Sequence, residues 1–214
     1  DTQRGSSYNA YLIIDDKITL IDTVKHGFEE EMLSRISSVI DPSKIDYIIV
    51  NGAECEPYLT CDYRMMIEEP ERLIGGIKVM LQLFENAKAV IGVESNKPKA
   101  IEKLRALVKD EPKISVEALR TKYPQGGERS LIYAVTGREI NSSMLPADAG
   151  CVVDNVNTVM AIYDAVCKRT PILERVITIT GDAIKEPQNF KVRTGMNYND
   201  IIEAAGGFKV DPKK

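Results

Sequence analysis

The chain has 214 residues, 43% of them hydrophobic and 28% charged, with a formal net charge of −4. That profile belongs to an ordinary globular chain and excludes a non-specific nucleic-acid binder, which needs a basic face. No apolar run approaches the roughly 18 residues of a spanning helix, and no signal peptide opens the chain, so work at a membrane is expected only by docking onto another subunit.

Tyr8 to Ile14 and Lys17 to Thr23 flank Asp15-Asp16 and predict a hairpin. Gly27 to Val39 carries Phe28, Met32, Leu33, Ile36 and Val39 at helical spacing behind an acidic first turn. Pro42 stops that helix, and "IDYIIVN" predicts a short buried strand. A helix follows from about Pro70 to Asn86, with Leu73, Ile77, Met80, Leu81 and Phe84 on one face. "AKAVIGVE" is then a strand and "KPKAIEKLRALVKD" a helix started by Pro98. "KISVEALR" alternates as a strand does, and "GGERSLIYAVTG" is a loop opening into a helix that Gly137 ends. "AGCVVDNVNTVMAIYDAVCKR" supplies another buried strand and helix.

Strands alternating with helices from Ile45 to Arg169 predict an α/β fold: three layers, a mostly parallel sheet with helices on both faces. Residues 1–50 are a β-β-α-β segment expected to complete that sheet, and 51–170 form the main domain. After Pro171 the text changes. "LERVITITGDAIKEPQNFKVRTGMNYNDIIEAAGG" reads as strand, turn, strand and short helix, a small partial unit over 171–214 that needs the main domain, or sequence beyond this chain, to bury its core.

Three predicted strands run into unusual polar loops: "NGAECEPYLTCDYR", "TKYPQGGERS" and "DNVNT". In a parallel sheet such loops share one edge, where ligands bind at topological switch points. Each has a plainer explanation. Asn51-Gly52 suits a turn, Asp154 or Asn155 suits a helix cap, and Gly126-Gly127 suits a flexible connector. Gly126-Gly127 at a helix start also offers backbone N–H groups to an anion, although the spacing is not that of a GxGxxG fingerprint. The cysteines, Cys55, Cys61, Cys151 and Cys167, form no C-x-x-C pair and read as reduced thiols. His26 is the sole histidine, so no histidine-rich metal site is expected and no metal ligands are assigned.

"NGAECEPYLTCDYRMM", "KYPQGGERSLIYAVTGREI" and "LPADAGCVVDNVNTVMAI" resemble the C subunit of the Rnf electron-transport complex. That family is itself similar to the NADH- and FMN-binding flavoprotein subunit of respiratory complex I. The resemblance covers about Val50 to Phe208, and its last part is similar to the soluble-ligand-binding β-grasp (SLBB) segment that follows the nucleotide domain. It implies FMN and NAD(H) as cofactors, with iron–sulfur clusters only on sequence beyond this chain or on partners. By position it places Asn51 and Cys55 against the flavin and Glu56 near the nicotinamide, with Glu54 beside it as a second acid of the reaction site. Tyr123 would pack beside the cofactors, and Gly126, Gly127 and Glu128 would contact flavin or dinucleotide. Asn155 and Thr158 would reach the flavin phosphate or ribityl chain, with Val153 and Asp154 beside them.

The departures are as specific. Complex I flavoproteins carry an aspartate where this chain has Ala53 and a glutamate where it has Arg129, and both departures resemble the Rnf branch. The family's glycine-rich flavin loop is absent upstream of Asn51. There, "GSSYNAYLIIDDKITLIDTVKHGFEEEMLSRISSVIDPSKIDYIIVN" resembles the opening of a flavodiiron protein, in its metallo-β-lactamase-like domain. The expected function is an electron-transfer flavoprotein subunit, an NADH:acceptor oxidoreductase component. Its partners would be other electron-transport subunits, and its place the cytoplasm or the cytoplasmic face of a membrane complex. The rivals are a truncated non-catalytic scaffold and a flavodiiron-type oxidoreductase, the latter disfavoured because the chain lacks the metal ligands.

Overall fold

The computed structural model describes residues 11–14, 18–21, 34, 37, 41–84 and 86–210. Its strands are β1 (Tyr11–Ile14), β2 (Ile18–Ile21), β3 (Tyr47–Gly52), β4 (Lys88–Glu94), β5 (Ile114–Leu119), β6 (Cys151–Asn155), β7 (Glu174–Ile179) and β8 (Gln188–Arg193). Its helices are α1 (Cys61–Glu68), α2 (Pro70–Leu81), α3 (Pro98–Leu107), α4 (Glu128–Thr136), α5 (Val156–Lys168) and α6 (Tyr198–Ala204). The helix expected over Gly27 to Val39, together with His26, lies outside the described residues apart from Ser34 and Ser37, which are helical.

Strands β3 to β6 make one sheet in the order β5-β4-β3-β6, with every neighbour parallel. The two central strands, "YIIVNG" and "KAVIGVE", are buried almost throughout, while β5 at an edge alternates between buried and exposed positions. That contrast is what burial on both faces of a parallel sheet requires. Side chains of β3 point alternately to two cores. Ile48 and Val50 join Leu73, Ile77, Leu104 and Met160 on one face. Ile49 joins Leu119, Leu131, Ile132 and Cys151 on the other. Helices α1, α2, α3 and α5 therefore cover one face and α4 the opposite one, giving the three layers expected.

Local signals explain most boundaries. Pro98 opens α3, and Gly137, at φ 72°, closes α4 in the left-handed conformation that lacks a penalty only for glycine. Asn155 caps α5 by accepting from the Asn157 amide at 2.8 Å. Helix α1 is the exception, because the stretch through Arg64 reads as a loop in the sequence. Thr60, its N-cap, makes no side-chain cap. The helix forms because acceptors distant from it take its first amides and because Met65 and Met66 are buried in the larger core.

The hairpin β1–β2 pairs antiparallel from Tyr11↔Ile21 to Ile14↔Ile18 as a sheet of its own, so of the described residues before 51 it is those of the strand beginning at Tyr47 that enter the four-stranded sheet. The C-terminal unit is an antiparallel pair, β7–β8, registered from Glu174↔Arg193 to Ile179↔Gln188, with α6 beside it. Its buried side chains are Ile184, Ile201 and Ala205, and Val176 of β7 packs against the main core. Among the described residues no helix is long and apolar enough to cross a membrane.

Candidate functional site

The chain leaves β3 for β4 on one side and returns to β6 on the other. Such a reversal opens a crevice beyond the C-terminal ends of the two diverging strands. Register sets Val50 beside Asp154 and Asn51 beside Asn155, so Asn51, Asp154 and Asn155 flank the crevice. Val153 lies one pair deeper, opposite Ile49, and packs against the smaller core. Thr158 sits in the first turn of α5.

Two of the polar loops are tied together here. The Asn51 amide Nδ2 donates to the Gly126 carbonyl at 2.8 Å, and the Gly126 N–H donates to Cys55 Sγ at 3.2 Å. Gly127 is the N-cap of α4 and carries no side chain to cap it. Among the described residues, the amides of Glu128, Arg129 and Ser130 find no acceptor. A helix start with free amides has a partial positive charge and binds anions.

On the other side of β3, Glu54 adopts φ 49°, an uncommon conformation for a residue with a side chain. Its carboxylate accepts from the amides of Asp62 at 2.7 Å and Tyr63 at 3.2 Å, and so caps α1. Asp62 in turn accepts from Asn155 Nδ2 at 2.7 Å and from Asn157 Nδ2 at 2.6 Å. The Lys97 ammonium donates to the carbonyls of Ala53 at 2.7 Å and Glu54 at 3.3 Å, and lies 3.6 Å from the buried Glu94 carboxylate. Burial pushes the Glu54 and Asp62 carboxyls above their ordinary range, against the lowering effect of the hydrogen bonds each accepts. Glu54, Cys61 and Asp62 bring one ligand atom each within 4.8 Å of the others. The two carboxylates are already committed to amide donors, however, and burial pushes the Cys61 thiol up.

A cleft of about 550 Å³ opens beside this network, lined among others by Glu54, Cys55, Glu56, Tyr58, Lys97 and Tyr123. Four of the sequence-predicted residues thus share one wall, with Glu56 and Tyr123 exposed to solvent. Asn51, Asp154 and Asn155 flank the crevice, Val153 packs into the smaller core and Thr158 sits on α5, and the contacts among Asn51, Gly126 and Cys55 tie the crevice to the cleft wall.

Asp154 and Glu128 repel each other there. Burial, and then the Glu128 charge, push the Asp154 carboxyl up to about 6 from 3.8. Among the described residues its side chain has no hydrogen-bond partner. The folded state therefore holds this proton more tightly than the unfolded chain does. The stability associated with the neutral form is present below pH 4 and is lost as pH rises through about 6. Asp154→Asn is expected to be near neutral for stability at pH 4 and to stabilise by about 3 kcal/mol at pH 7. Urea unfolding at the two pH values checks this.

Two site residues are missing from the sequence reading. Lys97 and Glu94 belong to a fourth strand-end loop, "ESNKP", after β4. The signal that could have found them is its position on the same sheet edge as the other three loops; the helix-opening Pro98 makes it read as an ordinary connection. Asp62 stands inside a quoted loop, but its asparagine partners lie 93 and 95 residues away.

Residues 34–164 match the model of the Nuo51 FMN-binding domain, and residues 176–214 match that of the SLBB domain. The first match begins upstream of Val50 and so takes in β3. Over 171 residues the chain is 50% identical to the C subunit of the proton-translocating ferredoxin:NAD(+) oxidoreductase complex of Clostridium ljungdahlii, covering 80% of this chain and 37% of that protein. Over 182 residues it is 43% identical to the C subunit of the Na(+)-translocating ferredoxin:NAD(+) oxidoreductase complex of Acetobacterium woodii, covering 85% of this chain and 41% of that one. The chain therefore spans about two fifths of the length of these curated relatives. Among solved structures, the NAD+-reducing NiFe-hydrogenase in its H2-reduced state shares the fold, with a TM-score of 0.68 at 20% identity over 80% of this chain and 34% of that one.

Proposed function

We propose, because this chain belongs to the Nuo51 FMN-binding domain family, that it is the flavin-bearing part of an electron-transfer subunit. In this reading it takes hydride from NADH to FMN and hands electrons to iron–sulfur centres on sequence beyond this chain or on partner subunits. FMN supplies the chemistry when bound: it accepts an electron pair as hydride and releases electrons singly. The observation that carries the reading is the convergence of three polar strand-end loops at the β3/β6 crevice, beside the free amides of α4.

The strand-end residues supply donors for such a group, although the family's glycine-rich flavin loop is absent upstream of Asn51. The amides of Glu128, Arg129 and Ser130 are free donors for a phosphate. Asn51 fixes that loop against the sheet end through Gly126. Glu54 and Asp62 stiffen the wall of the neighbouring cleft, where exposed Glu56 and Tyr123 are available to a nicotinamide ring or its carboxamide. Carboxylates along that wall also disfavour further negative charge nearby.

Quenching of FMN fluorescence by the purified chain is expected to saturate at one FMN per chain. Riboflavin, which lacks the phosphate, should bind about tenfold more weakly. Equal affinity for both would remove the phosphate from α4. Glu56→Gln should raise the KM for NADH about tenfold, the loss of one charge-assisted hydrogen bond; unchanged reduction kinetics would remove Glu56 from the nicotinamide side. A second reading, a scaffold that keeps the fold without flavin, draws on the absence of the family's glycine-rich flavin loop upstream of Asn51, whose backbone would cradle the phosphate, and it predicts no quenching at any FMN concentration.

A further inference from the structure

We propose that Thr178 and Asn189, on the β7–β8 hairpin, are positioning residues for the candidate cofactor site, acting through the N-terminus of α1. The inference rests on the flavin reading above and extends it to the C-terminal unit, whose role that reading leaves open.

Thr178 Oγ1 accepts from the Thr60 amide at 3.1 Å and from the Cys61 amide at 3.2 Å, and donates to Asn189 Oδ1 at 2.8 Å. Asn189 Oδ1 also accepts from the Thr60 hydroxyl at 3.1 Å. A hydroxyl has one proton and two lone pairs, so every hydrogen-bonding valence of Thr178 is spent on this junction. Strand alternation puts Val176, Thr178, Asn189 and Lys191 on one face of the hairpin. Val176 on that face packs into the main core, so the hairpin is seated against the domain.

The amides held by Thr178 are those that α1 leaves without a local cap. Its N-terminal donors are divided between two distant acceptors: Thr178 takes Thr60 and Cys61, and Glu54 takes Asp62 and Tyr63. The position of Asp62 is fixed between those two grips. Asp62 then orients Asn155 and Asn157, and Asn155 stands beside Asn51 at the switch-point crevice. The hydrogen bonds linking Asn189, Thr178 and the Cys61 amide, the backbone step from Cys61 to Asp62, and the hydrogen bonds from Asn155 and Asn157 to Asp62 thus lead from the hairpin, through the start of α1, to the crevice. Burial raises the Cys61 thiol while the Thr178 hydroxyl opposes that rise, in keeping with direct contact. Moving the hairpin moves one of the two grips on α1, and with it the asparagine pair at the site.

The test uses the full chain in three forms: wild type, Thr178→Val, which keeps the shape and deletes the hydroxyl, and Thr178→Ser, which restores it. Two readouts are taken. The first, independent of flavin, is the side-chain amide resonances of Asn155 and Asn157 by NMR; they are expected to shift in Thr178→Val and to return in Thr178→Ser. The second is the FMN dissociation constant, expected to rise about fivefold to tenfold in Thr178→Val, in line with the loss of one or two neutral hydrogen bonds, and to stay within about twofold in Thr178→Ser. Unmoved asparagine resonances overturn the proposal. So does an unchanged FMN affinity in a folded Thr178→Val protein with shifted resonances, because the junction is then only a weld between units. Should Thr178→Val fail to fold, Asn189→Ala, which leaves the Thr178 acceptor in place, is read against the same two criteria. If wild type itself takes up no FMN, the flavin reading fails and the resonance criterion alone decides the positioning claim.

Discussion

Replacing Gly76 with alanine is expected to destabilise the protein by about 3 kcal/mol, the upper range for forcing extra volume into a packed core. A Cβ at Gly76 would lie 2.1 Å from the Val159 carbonyl oxygen and 2.9 Å from its carbonyl carbon. Both are backbone atoms of α5, so no side-chain rotation relieves the clash, and α2 and α5 would have to separate. Alanine is the better helix former by about 1 kcal/mol, and that gain is far too small to compensate. Gly75 provides the control. A Cβ there meets only the Tyr163 ring, at 2.5 Å, and a half-buried ring can swing aside, so Gly75→Ala should cost markedly less. Thermal unfolding of the two variants is the measurement. A drop of roughly 10 °C is expected for Gly76→Ala, given about 2–4 °C per kcal/mol at this chain length. Equal melting temperatures would contradict the close α2–α5 approach.

Lys97→Met is expected to have the next largest effect, about 3 kcal/mol, because it removes one partner from a buried charge pair. Glu94 is 3% exposed and Lys97 11% exposed at the side chain. Without the ammonium, Glu94 keeps, among the described residues, the Lys122 amide at 3.2 Å as its hydrogen-bond partner. The carbonyls of Ala53 and Glu54 also lose their donor, in the segment where Glu54 is held at φ 49°. Glu94→Gln placed on top of Lys97→Met should recover much of the loss, since the uncompensated charge is then gone. Denaturant unfolding of the two single variants and the double variant measures that coupling; purely additive losses would mean that Lys97 and Glu94 do not act as a pair. The double variant is also expected to bind FMN less tightly than wild type, because the 53–56 wall still lacks its lysine.

Much of this arrangement is legible in the residues. The switch from runs such as "YIIVNG" to helical spacing such as Leu73, Ile77 and Met80 marks each layer, and Pro98, Gly137 and Asn155 mark boundaries by mechanisms confined to a few neighbouring residues. Helix α1 is illegible for the opposite reason: the Thr178 that holds its first amides is 117 residues from Cys61. Glu54 shows how type and role separate. An acid at a strand end suggests chemistry, yet whether its oxygens face a ligand or a helix start depends on where Asp62 and Tyr63 sit. The three loops could be assigned to one sheet edge from alternation alone. That Asn51 neighbours Asn155, while Cys55 reaches Gly126, depends on the strand order β5-β4-β3-β6, and no periodicity encodes it.

This strand-end site is proposed to hold a flavin that NADH can reduce. The most direct measurement loads the full chain with FMN, removes unbound flavin and oxygen, and follows flavin absorbance as NADH is added. Bleaching is expected to complete at about one NADH per bound FMN, the stoichiometry of a two-electron transfer, and the absorbance to return on admission of an electron acceptor. A chain that retains FMN at one per molecule yet stays oxidised under excess NADH would contradict that proposal.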